Sequence, residues 1–126
     1  MNAALIAALR AHAAGLHPDE AGTELLIGHG SFLYRGDFTS FIDTGTSLSD
    51  GTTSLAWIDW DAALSALHHG QLPASGGERS ILKLAASLTA GTLVCLRDTS
   101  PGLDNRNLAL LVTAIRHAAG HPPGHR

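Results

Sequence analysis

Glycines interrupt this chain at points where a helix would otherwise continue. Fourteen glycines are spread over 126 residues, and Gly15, Gly70, Gly91 and Gly120 each follow a stretch rich in alanine or leucine at helical spacing. The residue just past a helix end often takes the left-handed conformation that glycine tolerates best, so this pattern predicts short helices that stop there. We therefore expect a mainly α fold of five to six short helices around one core.

Start signals precede three of these predicted helices. Asp59 and Asp104 are favourable N-cap residues, and Ser75 with Glu78 has the spacing of a capping box. Apolar residues then recur at intervals of three and four, which is typical of a helix with one buried face. The residues predicted to fill the core from these helices are Leu64, Leu67, Ile81, Leu84, Leu88, Leu108, Leu111, Val112 and Ile115.

Two short apolar runs, residues 54–58 and 92–96, are predicted to be strands that pair into a small two-stranded ribbon. Residues 43–53 are rich in threonine, serine, glycine and aspartate and include the turn signal Asp50-Gly51, so we expect a surface loop there. An isolated strand pair is only marginally stable, so helical packing must supply most of the stability.

The chain has the length of one domain, and it contains no internal repeat and no linker-like segment. We predict a single helical domain over residues 1–120. Residues 121–126 combine two prolines with a glycine beyond the last helix, and they are predicted to form a flexible C-terminal tail.

Cysteine usage and hydropathy together predict a cytoplasmic protein. The single cysteine, Cys95, stands in an apolar run and is expected to be a buried side chain rather than half of an internal disulfide. The short apolar stretch at the N-terminus lacks the preceding positive charges of a signal peptide. No apolar run approaches the roughly 20 residues needed to cross a bilayer, so no membrane association is expected.

Surface charge is sparse in this sequence. Charged residues make up 15% of the chain, and the formal net charge is −3, whereas an average globular domain is about 25% charged. This balance offers no basic patch for a nucleic-acid backbone. Either small uncharged side chains cover the surface, or an apolar area is buried against another chain, and we favour the second interpretation.

Most of the aromatic side chains fall within residues 32–41, which are divided by Gly36. So many large apolar groups are hard to bury on one side of a short segment, and aromatic residues with an arginine are typical of interface hot spots. We therefore predict a non-catalytic protein-interaction or assembly module that forms a homo-oligomer. In the alternative, the segment closes one end of the core. The predicted partner-binding residues are Arg35, Asp37, Phe38 and Phe41.

Residues 75–107 resemble part of an ABC-type ATPase. Ser75-Gly76-Gly77-Glu78 is similar to the signature motif, residues 93–98 to a Walker B strand, and Gly102-Leu103-Asp104 to the D-loop. A phosphate-binding loop needs a lysine after a glycine-rich turn, and the only lysine, Lys83, lies inside a predicted helix. We expect no nucleotide site, and the capping box explains the serine and glutamate.

Histidines and serines are further candidates for a metal site or for catalysis. His117, His121 and His125 recur every four residues, but Gly120 and the prolines after it break the helix face that would align them. The neighbours His68 and His69 would point about 100° apart on a helix, so they cannot chelate one ion alone. Gly28-His29-Gly30-Ser31 lacks the sequence of a nucleophile elbow. We predict no catalytic residue, no metal site, no cofactor and no enzymatic activity.

The whole chain resembles small proteins without an assigned activity from high-GC Gram-positive bacteria, some of them encoded near mobile-element genes. The resemblance is carried by residues 25–30, Arg35-Gly36-Asp37-Phe38, Ile58-Asp59-Trp60, Leu96-Arg97-Asp98 and Gly102-Leu103-Asp104. It implies a cytoplasmic accessory role in DNA maintenance or transfer, and it transfers no activity or site residue to this chain.

The alternative function is therefore that of an accessory nucleic-acid-binding protein of a mobile element. Residues 60–69 and 76–90 could form a helix-turn-helix, although residues 70–75 exceed the usual three- or four-residue turn. Few basic groups are available, so binding would be weak and its salt dependence shallow. The basic residues predicted for this alternative are Arg79, Lys83 and Arg106.

Overall fold

Helices and one small ribbon make up the regular structure of residues 2–124, the part of the chain that the computed structural model describes. The helices are α1 Ala3–Ala13, α2 His17–His29, α3 Gly36–Thr39, α4 Trp60–His68, α5 Gly76–Ala90, α6 Leu96–Thr99 and α7 Asn105–Ala118. The strands are β1 Ile42–Thr46 and β2 Ser54–Ile58, and 3-10 turns cover Phe32–Tyr34 and Ser100–Gly102. Within the described residues, α3 and α6 are single turns and the other five helices are longer. The prediction of a mainly α fold with a small ribbon is confirmed.

The helix starts follow the predicted caps. The Asp59 carboxylate accepts a hydrogen bond from the Ala62 N–H at 3.1 Å, and the Asp104 carboxylate accepts one from the Asn107 N–H at 2.8 Å. At α5 the Ser75 and Glu78 side chains each accept from the other residue's backbone N–H, so the capping box is complete. These bonds satisfy N–H groups that have no partner within the helix.

Helix α2 lies at the centre and packs against both α5 and α7. Gly22 of α2 faces Thr89 near the end of α5, while Ser31, just beyond α2, bonds to Glu78 at the start of α5, so the two helices run antiparallel. A Cβ atom at Gly22 would lie 2.8 Å from the Ala85 carbonyl oxygen, so glycine is what allows this close approach. The largest fully buried side chains are Phe32, Phe38, Leu26, Leu67, Leu72, Ile81 and Leu82.

The ribbon differs from the predicted one in its first strand. β1 pairs antiparallel with β2, with Ile42 opposite Ile58, and β2 packs on α1. Residues 42–46 were expected to belong almost entirely to a loop, and residues 92–96 were expected to be the second strand. That expectation was wrong because strand pairing depends on which segment lies beside β2 in space. Residues 92–95 have no regular structure, and Leu96 begins α6.

Helix α7 is rotated relative to the prediction, so that only one edge of its predicted apolar face, at Leu111, packs on the core. Leu108, Val112 and Ile115, all predicted to be buried, are about half exposed, whereas Asn107 and His117 are buried. The helical period identifies an apolar face but not the direction in which it points. The other six predicted core residues are at least partly buried: Leu67, Ile81 and Leu84 fully, and Leu64, Leu88 and Leu111 in part.

Two further predictions concern the C-terminal half. Cys95 was expected to be buried but is exposed at the start of α6. Pro122, in the predicted tail, is partly buried and lies beside the end of α7, whereas His125 and Arg126 fall outside the described residues. Over residues 2–124, no helix combines the length and the apolar character needed to span a bilayer.

Candidate functional site

The predicted partner-binding segment is divided between core and surface, since Phe38 is buried whereas Asp37 is exposed. Phe38 is 0% exposed, its ring lies 5.1 Å from that of Phe32, and Phe41 is partly buried. Arg35 donates two hydrogen bonds to the Asp37 carboxylate, at 2.9 and 2.7 Å, and its guanidinium lies over the Phe32 ring. For Phe38 the core alternative therefore replaces the interface role, because no partner can reach this ring without opening the segment.

The three basic residues of the nucleic-acid alternative occupy two separate places. Arg79 and Lys83 line a cavity of about 270 Å³ between α4, α5 and the segment before α6. Arg106 instead donates to the Gly28 carbonyl oxygen at 2.8 Å, where it caps the C-terminal end of α2. The structure thus brings Arg79 and Lys83 to one cavity. The Arg106 guanidinium lies elsewhere and is hydrogen-bonded to the end of α2.

Ser31 contacts both a histidine and a carboxylate, but not in the order of a catalytic triad. Its hydroxyl lies 3.2 Å from His29 Nδ1 and donates to Glu78 Oε2 at 3.1 Å. A triad requires the histidine to bridge the nucleophile and the acid. Here the serine is the bridge, and its contacts connect the end of α2 to the capping box of α5.

A second polar cluster joins the N-terminal end of α2 to the C-terminal end of α7. His17 and Glu20 lie in the first turn of α2, and His117 lies in the last turn of α7. Glu20 Oε1 lies 3.1 Å from His117 Nε2 and 3.5 Å from His17 Nδ1. The candidate ligand atoms of the three residues all lie within 4.8 Å of one another, so adjustment of the side chains would let one metal ion contact all three. We call these three residues the His-Glu-His cluster.

An open cavity of about 580 Å³ adjoins the His-Glu-His cluster. Arg10 and Glu24 both line this cavity, and the Arg10 guanidinium donates two hydrogen bonds to the Glu24 carboxylate, at 2.8 and 2.9 Å. Pockets with a few convergent polar groups are the usual places for small ligands. The cavity is lined by Arg10, Ala13, His17, Glu20, Thr23, Glu24, His117, Pro122 and Pro123.

Two contacts favour the ionised form of the Glu20 carboxyl. A hydrogen bond from the Gly15 backbone N–H to Oε2, followed by the contact with His117, lowers the pKa of the Glu20 carboxyl below its usual range. The same bond fixes the orientation of the side chain, so that Oε1 faces both imidazoles. The cluster thus presents a carboxylate oxygen and two ring nitrogens in one place.

Sequence reasoning did not find this cluster. His117 was considered only with His121 and His125, and His17 was not singled out at all. The one local signal is that His17 and Glu20 are three residues apart at a helix start, a spacing that places them on one face. Their third member follows Glu20 by 97 residues, so only the antiparallel packing of α2 and α7 brings it there.

The outward side of α7 carries large apolar side chains that no other part of the described chain covers. Leu108, Val112 and Ile115 follow one another at helical spacing and form an apolar strip, which we call the α7 face. Comparison with known proteins adds nothing to either feature: no protein-family model, no curated protein and no solved structure matches the chain.

Proposed function

We propose that this protein is an assembly module that pairs with a second copy of itself through the α7 face. The observation that carries the proposal is the exposure of three large apolar side chains on one strip: Leu108 is 48%, Val112 51% and Ile115 53% exposed. Single exposed apolar residues are ordinary on protein surfaces, but aligned ones are typical of surfaces that another chain covers.

Helix α7 is already attached to the domain by its opposite side. Ala114 and His117 are buried there, and Gly28 of α2 allows Leu110 to pack closely. Turning the α7 face inward would expose these contacts and separate His117 from Glu20. The α7 face therefore cannot be buried by rotating the helix within the domain, and only a partner chain would cover it.

The spacing of the α7 face suits a two-fold pair. Leu108 and Ile115 lie one turn to either side of Val112, so two antiparallel α7 helices would place Leu108 of one copy near Ile115 of the other. Val112 would then lie near the axis in both copies. Two-fold pairs are the commonest oligomers of soluble proteins. Because this chain has few charged residues, electrostatic repulsion between two copies is small.

The expected pairing is weak and depends on concentration. Burying each of these half-exposed side chains contributes about 1 kcal/mol. Six such side chains meet in a pair, whereas association costs roughly 4–15 kcal/mol in lost translational and rotational freedom. Contacts at the rim of the α7 face must therefore add to those at its centre.

Val112→Asp tests the proposal, because it places a charge at the centre of the α7 face without touching the core. Light scattering coupled to size exclusion, or sedimentation over micromolar to millimolar concentrations, should show a dimer for the unchanged chain and a monomer for this variant. Thr113→Asp is the matched control, since Thr113 is exposed and lies roughly 100° or more around the helix from each residue of the α7 face.

The control should self-associate like the unchanged chain, and circular dichroism should show the same helix content for all three proteins. If the unchanged chain remains a monomer at every concentration, the proposal is overturned. It is equally overturned if Thr113→Asp and Val112→Asp weaken the dimer to the same extent.

A further inference from the structure

We infer that the His-Glu-His cluster binds a divalent transition-metal ion, with zinc as the best match. His17 Nδ1, Glu20 Oε1 and His117 Nε2 would be the protein ligands. The fourth position would face the adjoining cavity and be open to water or to a small anionic ligand. This inference does not depend on self-association, because it rests on different side chains from those of the α7 face.

The distances within the cluster are close to those that zinc requires. Bonds of roughly 2.0–2.1 Å in a tetrahedral site place neighbouring ligand atoms about 3.3 Å apart. The distances from Glu20 Oε1 to His117 Nε2 and His17 Nδ1 are 3.1 and 3.5 Å. Two of the three edges of the site are thus already formed. The third edge joins the two imidazole nitrogens, which lie within 4.8 Å of each other, and the exposed His17 ring would have to move to shorten it.

The chemistry of the ligand set restricts the choice of metal. Two imidazole nitrogens and one carboxylate oxygen suit zinc and its first-row neighbours, whereas magnesium and calcium prefer sites made of oxygen atoms alone. Two histidines and a glutamate with one open position are also a ligand set that zinc uses in hydrolytic enzymes. The site would be reachable, since the His17 side chain is 51% exposed.

Contacts around the cluster hold its ligands in place. The Gly15 N–H bonds to Glu20 Oε2 and leaves Oε1 for the metal, which is how outer contacts orient ligands in known metal sites. His117 is buried in the packed end of α7, and its ring lies edge-on to that of His17, with centroids 5.8 Å apart. Arg10 is paired with Glu24, so its charge is partly neutralised near the site.

Without a metal, the same residues form hydrogen bonds that connect α2 to α7. The experiment must separate these two roles, and His17 provides the means because it is the most exposed of the three. Untagged protein, first treated with a chelator, would be titrated with zinc chloride by calorimetry. Cobalt substitution would report the coordination geometry through its visible absorption.

We expect one zinc ion per chain, a rise in the melting temperature on zinc addition, and cobalt bands of a four-coordinate site. His17→Ala should fold normally and bind zinc at least ten-fold more weakly. The double variant His68→Ala, His69→Ala removes another pair of exposed histidines, at the end of α4, and should bind zinc unchanged. His121→Ala, just beyond α7, should do the same.

The inference is overturned if the chelator-treated protein binds no zinc at micromolar zinc concentrations. It is also overturned if His17→Ala binds as tightly as the unchanged chain, or if either control loses the site. In these cases the cluster would act only through its hydrogen bonds between α2 and α7.

Discussion

At the scale of single residues, Phe38 anchors the aromatic segment, residues 32–41, in the core. It is fully buried between the rings of Phe32 and Trp60, at centroid distances of 5.1 and 6.4 Å. Tyr34, four residues earlier, is 67% exposed. The two side chains belong to the same short segment and are both aromatic, but only one of them contributes a large buried area to the core.

Phe38→Ala should therefore lower the free energy of unfolding by about 3–5 kcal/mol, because the truncation leaves a cavity in the core. Tyr34→Ala should change it by less than about 0.5 kcal/mol, since its ring is mostly in water. Urea titration followed by circular dichroism measures both. Equal losses would show that the segment is not packed as described.

At the scale of elements, Glu78 connects the start of α5 to two other parts of the fold. Glu78 accepts from the Ser75 backbone N–H at 2.8 Å and from the Ser31 hydroxyl at 3.1 Å, and it lies 3.9 Å from Arg35. These contacts, the Ser75 N–H foremost, lower the pKa of the Glu78 carboxyl. One carboxylate therefore links α5 to the end of α2 and to the turn before α3.

The lowered pKa predicts the sign of a pH effect. A carboxyl with a lower pKa in the folded than in the unfolded chain adds stability above its ordinary value of 4.5 and loses it as the pH falls through the folded value. Glu78→Gln should therefore destabilise the protein at neutral pH and much less at the acidic end. Urea midpoints from pH 7 down to pH 3 measure this, and a pH-independent difference would contradict it.

At the scale of the whole molecule, the docking of α7 determines which apolar residues form the core. Leu84 of α5 is 4% exposed, whereas Ile115 of α7, which the same periodicity argument assigned to the core, is 53% exposed. Both are branched aliphatic residues within well-formed helices. Only their position in the assembled domain separates them.

Truncating these two residues should give very different results. Leu84→Ala should cost about 2–5 kcal/mol of unfolding free energy, as expected for a core leucine. Ile115→Ala should cost less than about 1 kcal/mol at dilutions where the protein is a monomer, because about half of its side chain is already in water. Thermal or urea unfolding tests this, and similar losses would place Ile115 in the core after all.

The His-Glu-His cluster shows why sites are harder to predict than helices. A cap such as Ser75 with Glu78 is encoded within four residues, so the sequence alone predicts it. The cluster needs His117 beside Glu20, and the two are 97 residues apart. Their meeting depends on the antiparallel packing of α2 and α7, which Gly28 allows because its small size leaves room for Leu110 of α7.

The local sequence determined where α4, α5 and α7 begin and where these helices and α1 end, because caps and glycine stops act over a few residues. It also determined that the chain is mainly α with a small ribbon. Only the tertiary structure decided that β1, rather than residues 92–96, pairs with β2, and that the apolar face of α7 turns outward. The physical reason is that strand pairing and the burial of a helix face depend on neighbours distant in sequence, and short-range periodicity carries no information about them.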